Sequence, residues 1–195
     1  MIPKVIHYCW FGGNKLPESA EKYIESWKKF CPDYEIKEWN ESNFDINCNL
    51  YVKEAFEAKK WAFITDYVRL HALVAEGGIY MDTDVEVIKS LDDFLHLHAF
   101  SGFENAEDIP TGIMGCEKGF QLFNEMLHSY DNRHFKLEDG NYDVTTNVVT
   151  ITEFCKKQGF IPNNCMQTVI RNKTLLLAEF CYCYNIGCNI IIPVF

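Results

Sequence analysis

No cluster of lysines and arginines occurs anywhere in these 195 residues. The formal net charge is −10 at pH 7, and the basic doublets Lys28-Lys29, Lys59-Lys60 and Lys156-Lys157 stand isolated on expected helix faces. Nucleic-acid backbones demand clustered cations, so nucleic acid is excluded as the main partner. A phosphate on a smaller ligand is still within reach, provided a metal ion screens the repulsion. No C-x-x-C pair exists among the nine cysteines. Their count is odd, and the one cluster, Cys181, Cys183 and Cys188, has no histidines at zinc-finger spacing. Reduced, buried thiols in a reducing cytosol are the expectation. No secretory leader is expected at the start, because the first apolar run is short and broken by Pro3 and Lys4; a cytoplasmic location is expected. Residues 180–195, FCYCYNIGCNIIIPVF, lack charge but are broken by Asn185, Gly187, Asn189 and Pro193, which excludes a spanning helix. Core strands are one reading of that tail; an oligomer contact or a peripheral membrane-surface contact is the other. No linker rich in proline, glycine or serine and no repeat divides the chain, so residues 1–195 are expected to form a single domain. At this length folding buries roughly 70% of the unfolded surface, enough for a full core.

What the chain contains is ordinary for a soluble protein, with 48% hydrophobic and 24% charged residues. Aromatics reach 15%, which suits a packed core and also a pocket with stacking surfaces. Residues 4–11, KVIHYCWF, read as a short buried strand, and Gly12-Gly13-Asn14 turns the chain. In residues 17–30, Ala20, Tyr23, Ile24, Trp27 and Phe30 recur at helical spacing. Pro32-Asp33 closes that helix, and residues 34–39 alternate as a second strand. The strongest helical pattern covers residues 52–76 and ends at Gly77 in a C-cap position. The strand IYMDTDVEV follows directly, and residues 119–130 and 145–157 read as further helices. Strands and helices alternating in this order predict an α/β fold with a mostly parallel central sheet.

Asp82 and Asp84 interrupt the apolar strand. In an extended chain residues i and i+2 face the same way, so the two carboxylates are expected to point together and Thr83 away. Like charges that close raise each other's pKa unless a cation shares them. The pair lies near the carboxyl end of a strand, where open α/β sheets place ligands. Mg²⁺ takes carboxylate oxygens together with substrate phosphate oxygens, so D-x-D fits a metal–diphosphate clamp. Turns and solvated edges carry the same triplet. The preceding stretch, WAFITDYVRLHALVAEGG, is apolar almost all round and is therefore expected to be buried. Within it Asp66 and Arg69 are three apart and share a face. Either they form an internal ion pair, or both line a pocket, Asp66 accepting from sugar hydroxyls and Arg69 offering its fork of donors to phosphate.

Three blocks, IPKVIHYCWFGG, YEIKEWNESNF and WAFITDYVRLHALVAEGGIYMDTDVEV, together resemble the glycosyltransferases that carry a DXD motif in a sugar-binding region. That family includes yeast initiating mannosyltransferases, bacterial capsular polysaccharide and lipopolysaccharide sugar transferases and, more distantly, the clostridial glucosylating toxins. D-x-x-R followed by G-G-x-Y-x-D-x-D is far more specific than D-x-D alone. The resemblance implies a GT-A fold, a Rossmann-like nucleotide-sugar-binding domain. It implies a UDP- or GDP-sugar donor, a saccharide, lipid-linked or protein acceptor, and transfer with retention of configuration. By the same resemblance Trp10 stacks on the nucleobase, and Asp66 and Arg69 contact the sugar and diphosphate. Asp82 touches the ribose or sugar at the metal corner, and Asp84 ligates Mn²⁺ or Mg²⁺ directly. Catalysis would then rest on Asp66, Arg69, Asp82 and Asp84, with the metal and Arg69 stabilising charge on the leaving diphosphate. No carboxylate nucleophile can be assigned, which favours a front-face transfer.

Thr111-Gly112-Ile113-Met114-Gly115 falls where the family often places a loop near the acceptor, and reads equally as a plain turn. Asn105, Glu107 and Asp108 lie in an acidic loop that reads equally as a merely solvated one, and His96 and His98 read as surface or core histidines rather than metal ligands. The family's late His/Trp segment has no counterpart, since no histidine follows His134 and no tryptophan follows Trp61. Residues 174–195 are therefore read as atypical or shortened, and a degenerate domain that binds a nucleotide sugar without turnover is the competing expectation. Haloacid-dehalogenase-like phosphatases also place D-x-D after an apolar strand. They carry Thr or Val where this chain has Glu86, and their motif opens the domain rather than lying 81 residues in.

Overall fold

The computed structural model describes residues 1–163 except Glu104 and Ala106, and beyond them the backbone of three strands with the side chains of Gln167 and Val169. The strands are β1 (Val5–Cys9), β2 (Glu35–Trp39), β3 (Gly78–Met81), β4 (Val85–Val87), β5 (Ala99–Ser101), β6 (Ile113–Cys116), β7 (Gln167–Arg171), β8 (Lys173–Leu177) and β9 (Asn189–Ile191). The helices are α1 (Glu18–Phe30), α2 (Leu50–Glu57), α3 (Trp61–Glu76), α4 (Gln121–His128) and α5 (Asn147–Lys156). One sheet of seven strands runs in the order β2-β1-β3-β6-β5-β8-β7, and β4 pairs with β9 in a small second sheet. β1 is parallel to β2 and β3, β6 is antiparallel to β3 and β5, and β8 is parallel to β5 and antiparallel to β7. Five of the seven strands therefore share one direction, with β6 and β7 reversed. This is the mostly parallel α/β arrangement that the alternation of elements predicts.

Strand periodicity divides the apolar residues between two layers. Ile6, Tyr8, Ile79, Met81 and Ile113 pack with Ile24 and Trp27 of α1 and with Leu91 and Phe94. Their sequence neighbours Cys9, Tyr80, Met114 and Cys116 pack with α2, α3, α4 and α5 through Val52, Leu70, Leu73, Phe123 and Ile151. β3 is buried at every position, as expected of a strand covered on both faces. Each fully buried aliphatic side chain of these layers contributes about 2 kcal/mol. Trp27 adds a directional tie, its indole N–H donating to the Val85 carbonyl at 2.8 Å.

Two expectations are corrected. The pattern over residues 52–76 is two helices, because the chain turns at Lys59 with φ +56°. Residues 113–116 are a buried strand rather than part of a loop or turn, inserted between β3 and β5. The tail supplies β9, which pairs with the strand just after the two aspartates through Val85↔Asn189 and Val87↔Ile191. The rest of residues 178–195, with Cys181, Cys183 and Cys188, lies outside the described residues. Among the described cysteines Cys9, Cys31, Cys116 and Cys155 are buried free thiols and Cys48 is an exposed one. No helix among the described residues is long and apolar enough to cross a membrane.

Candidate functional site

β1 and β3 lie side by side and parallel, but the chain leaves β1 through α1 toward β2 and returns to β3 on the other side. Such a switch point opens a crevice beyond the carboxyl ends of the two strands. Trp10 follows β1 there, and Asp82 follows β3. The crevice is a cleft of about 420 Å³, lined by Trp10, Trp61, Arg69, Tyr80, Asp82 and Asp84 together with neighbouring residues that include Thr83.

Arg69, buried on α3, is the hub. Its Nη2 lies 3.3 Å from Asp66 Oδ1 and 3.5 Å from Asp82 Oδ1. Its Nη1 donates to the Thr111 carbonyl, and its guanidinium carbon sits 4.7 Å above the Tyr80 ring. Burial by itself would lower the Arg69 pKa, but Asp82, Tyr80 and Asp66 together outweigh it and hold the group above its ordinary range. Arg69 is therefore a permanent cation at the cleft wall. The Tyr80 hydroxyl donates to Asp82 Oδ1 at 2.7 Å, and the Asp82 backbone N–H donates to the Gly112 carbonyl at 2.9 Å. Residues 111 and 112 thus brace Arg69 and Asp82 through their carbonyls.

The aspartate pair does not lie on an extended strand. The Val85 N–H donates to the Asp82 carbonyl at 3.1 Å, closing a tight turn between β3 and β4. Asp82, Thr83 and Asp84 all border the cleft, so the expected opposite facing of Thr83 is not what the chain adopts. Asp82 is half-buried and Asp84 exposed. Such a pair fits a hard cation that completes its shell with phosphate oxygens and water. Among the described residues no group of three or more His, Cys, Asp or Glu side chains is arranged to hold a metal by itself.

Asp66 and Arg69 part company. Arg69 lines the cleft, whereas Asp66 lies behind it, only 6% exposed, with Oδ2 accepting the Asn147 N–H at 3.0 Å. Burial pushes the Asp66 carboxyl pKa up, against the pull of Arg69 and of the Asn147 bond. Trp10 is half-buried, its indole N–H donating to the Asn14 carbonyl at 2.7 Å and its backbone N–H to the Trp39 carbonyl at 2.9 Å. It packs on the core while presenting a face to the cleft. Opposite in chain order, Trp61 begins α3. A Cβ on Gly12 would sit 2.9 Å from the Trp61 indole, and φ there is +98°, so glycine is required on both counts. His98 Nδ1 lies 3.0 Å from a Glu117 oxygen, and Asn105 Oδ1 accepts the N–H groups of Glu107 and Asp108. Neither group lines the cleft.

Three residues of the site escape a sequence reading. Tyr80 stands inside G-G-x-Y-x-D-x-D without a visible role, Trp61 looks like one more apolar helix residue, and Asn147 meets Asp66 across 81 residues with no local signal at all.

Residues 17–101 match the family model described as the glycosyltransferase sugar-binding region containing DXD motif. An uncharacterized glycosyltransferase of Acanthamoeba polyphaga mimivirus is 28% identical, over 80% of this chain and 67% of that protein. Inositol phosphoceramide mannosyltransferase 3 of Schizosaccharomyces pombe is 29% identical, over 69% of this chain and 40% of that protein. The chain thus spans well under half of the yeast relative's length. A solved structure titled PaToxG Glycosyltransferase superposes with a TM-score of 0.54 at 21% identity, covering 65% of this chain and 59% of that one. That superposition speaks to the fold, which is of the GT-A kind.

Proposed function

We propose that this chain, whose residues 17–101 match the model of the glycosyltransferase sugar-binding region containing DXD motif, moves a sugar from a UDP- or GDP-linked donor to a saccharide, lipid-linked or protein acceptor. The observation that carries this reading is the convergence of Arg69, Asp82, Asp84 and Trp10 on one cleft at the switch point of the sheet. Asp84, at the exposed mouth, and Asp82, with one oxygen fixed by Tyr80, are the carboxylates that would hold Mn²⁺ or Mg²⁺. A bound divalent ion supplies charge neutralisation at the diphosphate. Arg69 adds a fixed cation for the charge that builds on the leaving group, pre-positioned by Thr111, Asp66 and Tyr80. Trp10, on the cleft wall, would stack on the nucleobase, and Asp66, behind that wall, would serve the donor through Arg69, whose guanidinium lies 3.3 Å from its Oδ1. Retention by a front-face route fits a cleft whose described lining carboxylates are the two metal-corner aspartates. The name of the yeast relative favours an acceptor borne on lipid.

Calorimetric titration of UDP- and GDP-sugars, with and without Mn²⁺, tests the proposal. We expect metal-dependent binding that weakens by at least about tenfold in Asp84→Ala. A folded protein that binds none of these donors would sink it. Turnover on the same samples separates a transferase from a domain that only binds, and no hydrolysis of an aryl phosphate is expected.

A further inference from the structure

Helix α5 begins without the usual cap, because Thr146 at its N-cap makes no side-chain hydrogen bond to the helix. The first N–H of α5, that of Asn147, goes instead to Asp66 Oδ2 on α3, at 3.0 Å. Asn147 then returns its side-chain amide to the Asp66 backbone carbonyl at 2.5 Å, and its Oδ1 accepts the Tyr130 hydroxyl at 2.6 Å. Asn147 and Tyr130 are both fully buried. One hydrogen bond therefore ties Asn147 to the Asp66 carboxylate, a second ties it to the Asp66 backbone and a third to Tyr130, all in a buried site. The positive end of the α5 dipole lies at the same carboxylate, which offsets part of the cost of burying it.

We propose that Asn147, held by Tyr130, is a positioning residue for the donor site: it commits one oxygen of Asp66 to α5 and leaves Oδ1 to Arg69. The inference rests on the donor-site reading above, and it explains why Asp66 does not simply wall the cleft. With Oδ2 occupied, Asp66 has one orientation, and that orientation anchors the guanidinium 3.3 Å away. Tyr130 and Asn147 also stand at the two ends of residues 131–146. This connection is pinned by Arg133 Nε on Asp143 at 2.6 Å and by Glu54 on the Lys136 N–H at 2.9 Å. Closing that connection and orienting Arg69 are one hydrogen-bonded unit.

Three variants take it apart. Asn147→Pro deletes both the N–H and the amide, at a first helical position that tolerates proline after an extended residue, here Thr146 at φ −82° and ψ 163°. Asn147→Ala keeps the N–H and removes the amide, and Tyr130→Phe removes a single hydroxyl. The Asp66 carboxyl is followed by ¹³C NMR titration without any donor present, with Asp66→Asn for assignment. Its midpoint should rise in Asn147→Pro, where the bond to the charged form is lost, and by less in the other two, where the N–H remains but is no longer held in line by the amide and the Tyr130 hydroxyl. Donor turnover should fall about tenfold or more in kcat, with KM within about threefold, as expected when a positioned group drifts. Variants that lose thermal stability while the Asp66 titration and the kcat-to-KM split stay as in the wild type would overturn the inference, Tyr130→Phe being the one least able to misfold. A wild type that neither binds nor turns over any UDP- or GDP-sugar would instead count against the donor-site reading, and the titration alone would then decide whether Asn147 sets Asp66.

Discussion

Arg69 shows how much of the site is decided by one side chain. It is a buried cation that touches two carboxylates, a carbonyl and an aromatic face, so its removal orphans several partners at once. Breaking a buried ion pair from one side typically costs 3–5 kcal/mol, because the remaining charge stays in low dielectric. Asp66 is such a buried partner, whereas the Asp82 side chain is 35% exposed and its share is screened by solvent. Arg69→Met is therefore expected to lower unfolding stability by about 3 kcal/mol. Arg69→Lys should lose less, since it keeps the charge but has no planar fork to serve Thr111 and Asp66 together. Asp82→Asn should cost about 1 kcal/mol or less. Urea unfolding of the three variants checks that order, and equal losses would mean that packing, not charge, holds Arg69 in place.

Between elements, the instructive feature is the break between α2 and α3. The Lys60 N–H returns to the Ala55 carbonyl and the Lys59 N–H to the Phe56 carbonyl, both at 2.9 Å, which is the Schellman pattern of a helix end. That pattern needs a left-handed residue, and Lys59 supplies it at φ +56° where glycine is usual. Without a glycine or proline to mark the stop, periodicity alone runs on from residue 52 to 76. Lys59→Gly is expected to stabilise the protein by about 0.5–1 kcal/mol, relief of left-handed strain exceeding the added backbone entropy. A higher urea midpoint at unchanged slope would show it. The same logic explains the other misses. Gly115 suggests a turn, yet it is a strand residue paired with Phe100, and a Cβ there would lie 2.1 Å from the Phe100 ring. The turn at Asp82 to Val85 is hidden because Val85 and Val87 continue an apolar strand pattern. By contrast α1, β1 and β3 are legible, since period and burial agree in each. Arg69, Asp82 and Asp84 are legible from residue chemistry, whereas contacts made across the fold, such as Asn147 with Asp66, leave no trace in local pattern.

Across the whole molecule, His7 ties the parallel strands together and makes their joint stability depend on pH. It is fully buried on β1, with Nε2 at 2.8 Å from the Gly77 carbonyl and the Trp39 indole nitrogen 3.1 Å from Nδ1. An indole N–H only donates, so Nδ1 accepts and the proton sits on Nε2, facing Gly77. Both ring nitrogens are satisfied in the neutral form. A second proton on Nδ1 would set two donors against each other between β1 and β2. Burial accordingly lowers the His7 pKa below its ordinary 6.5, more than the Gly77 bond and Glu76 raise it. Burial lowers His71 in the same direction. The unfolded chain then binds more protons than the native one between the depressed value and about 6.5, so stability rises with pH across that window. The contribution is complete above about 6.5 and is lost as pH falls toward the native value, about 1.4 kcal/mol for each unit of depression. Asp66 has the opposite sign, because a carboxylate raised by burial binds its proton more tightly in the native state. Comparing the wild type with His7→Gln cancels Asp66 and His71, which both chains share. Gln keeps a donor for Gly77 and has no charge to gain. Urea midpoints taken from pH 7.5 down to pH 5 are expected to fall more steeply in the wild type than in His7→Gln. Parallel curves would show that His7 accepts its second proton as readily in the fold as in the unfolded chain, and that the strand junction is indifferent to it.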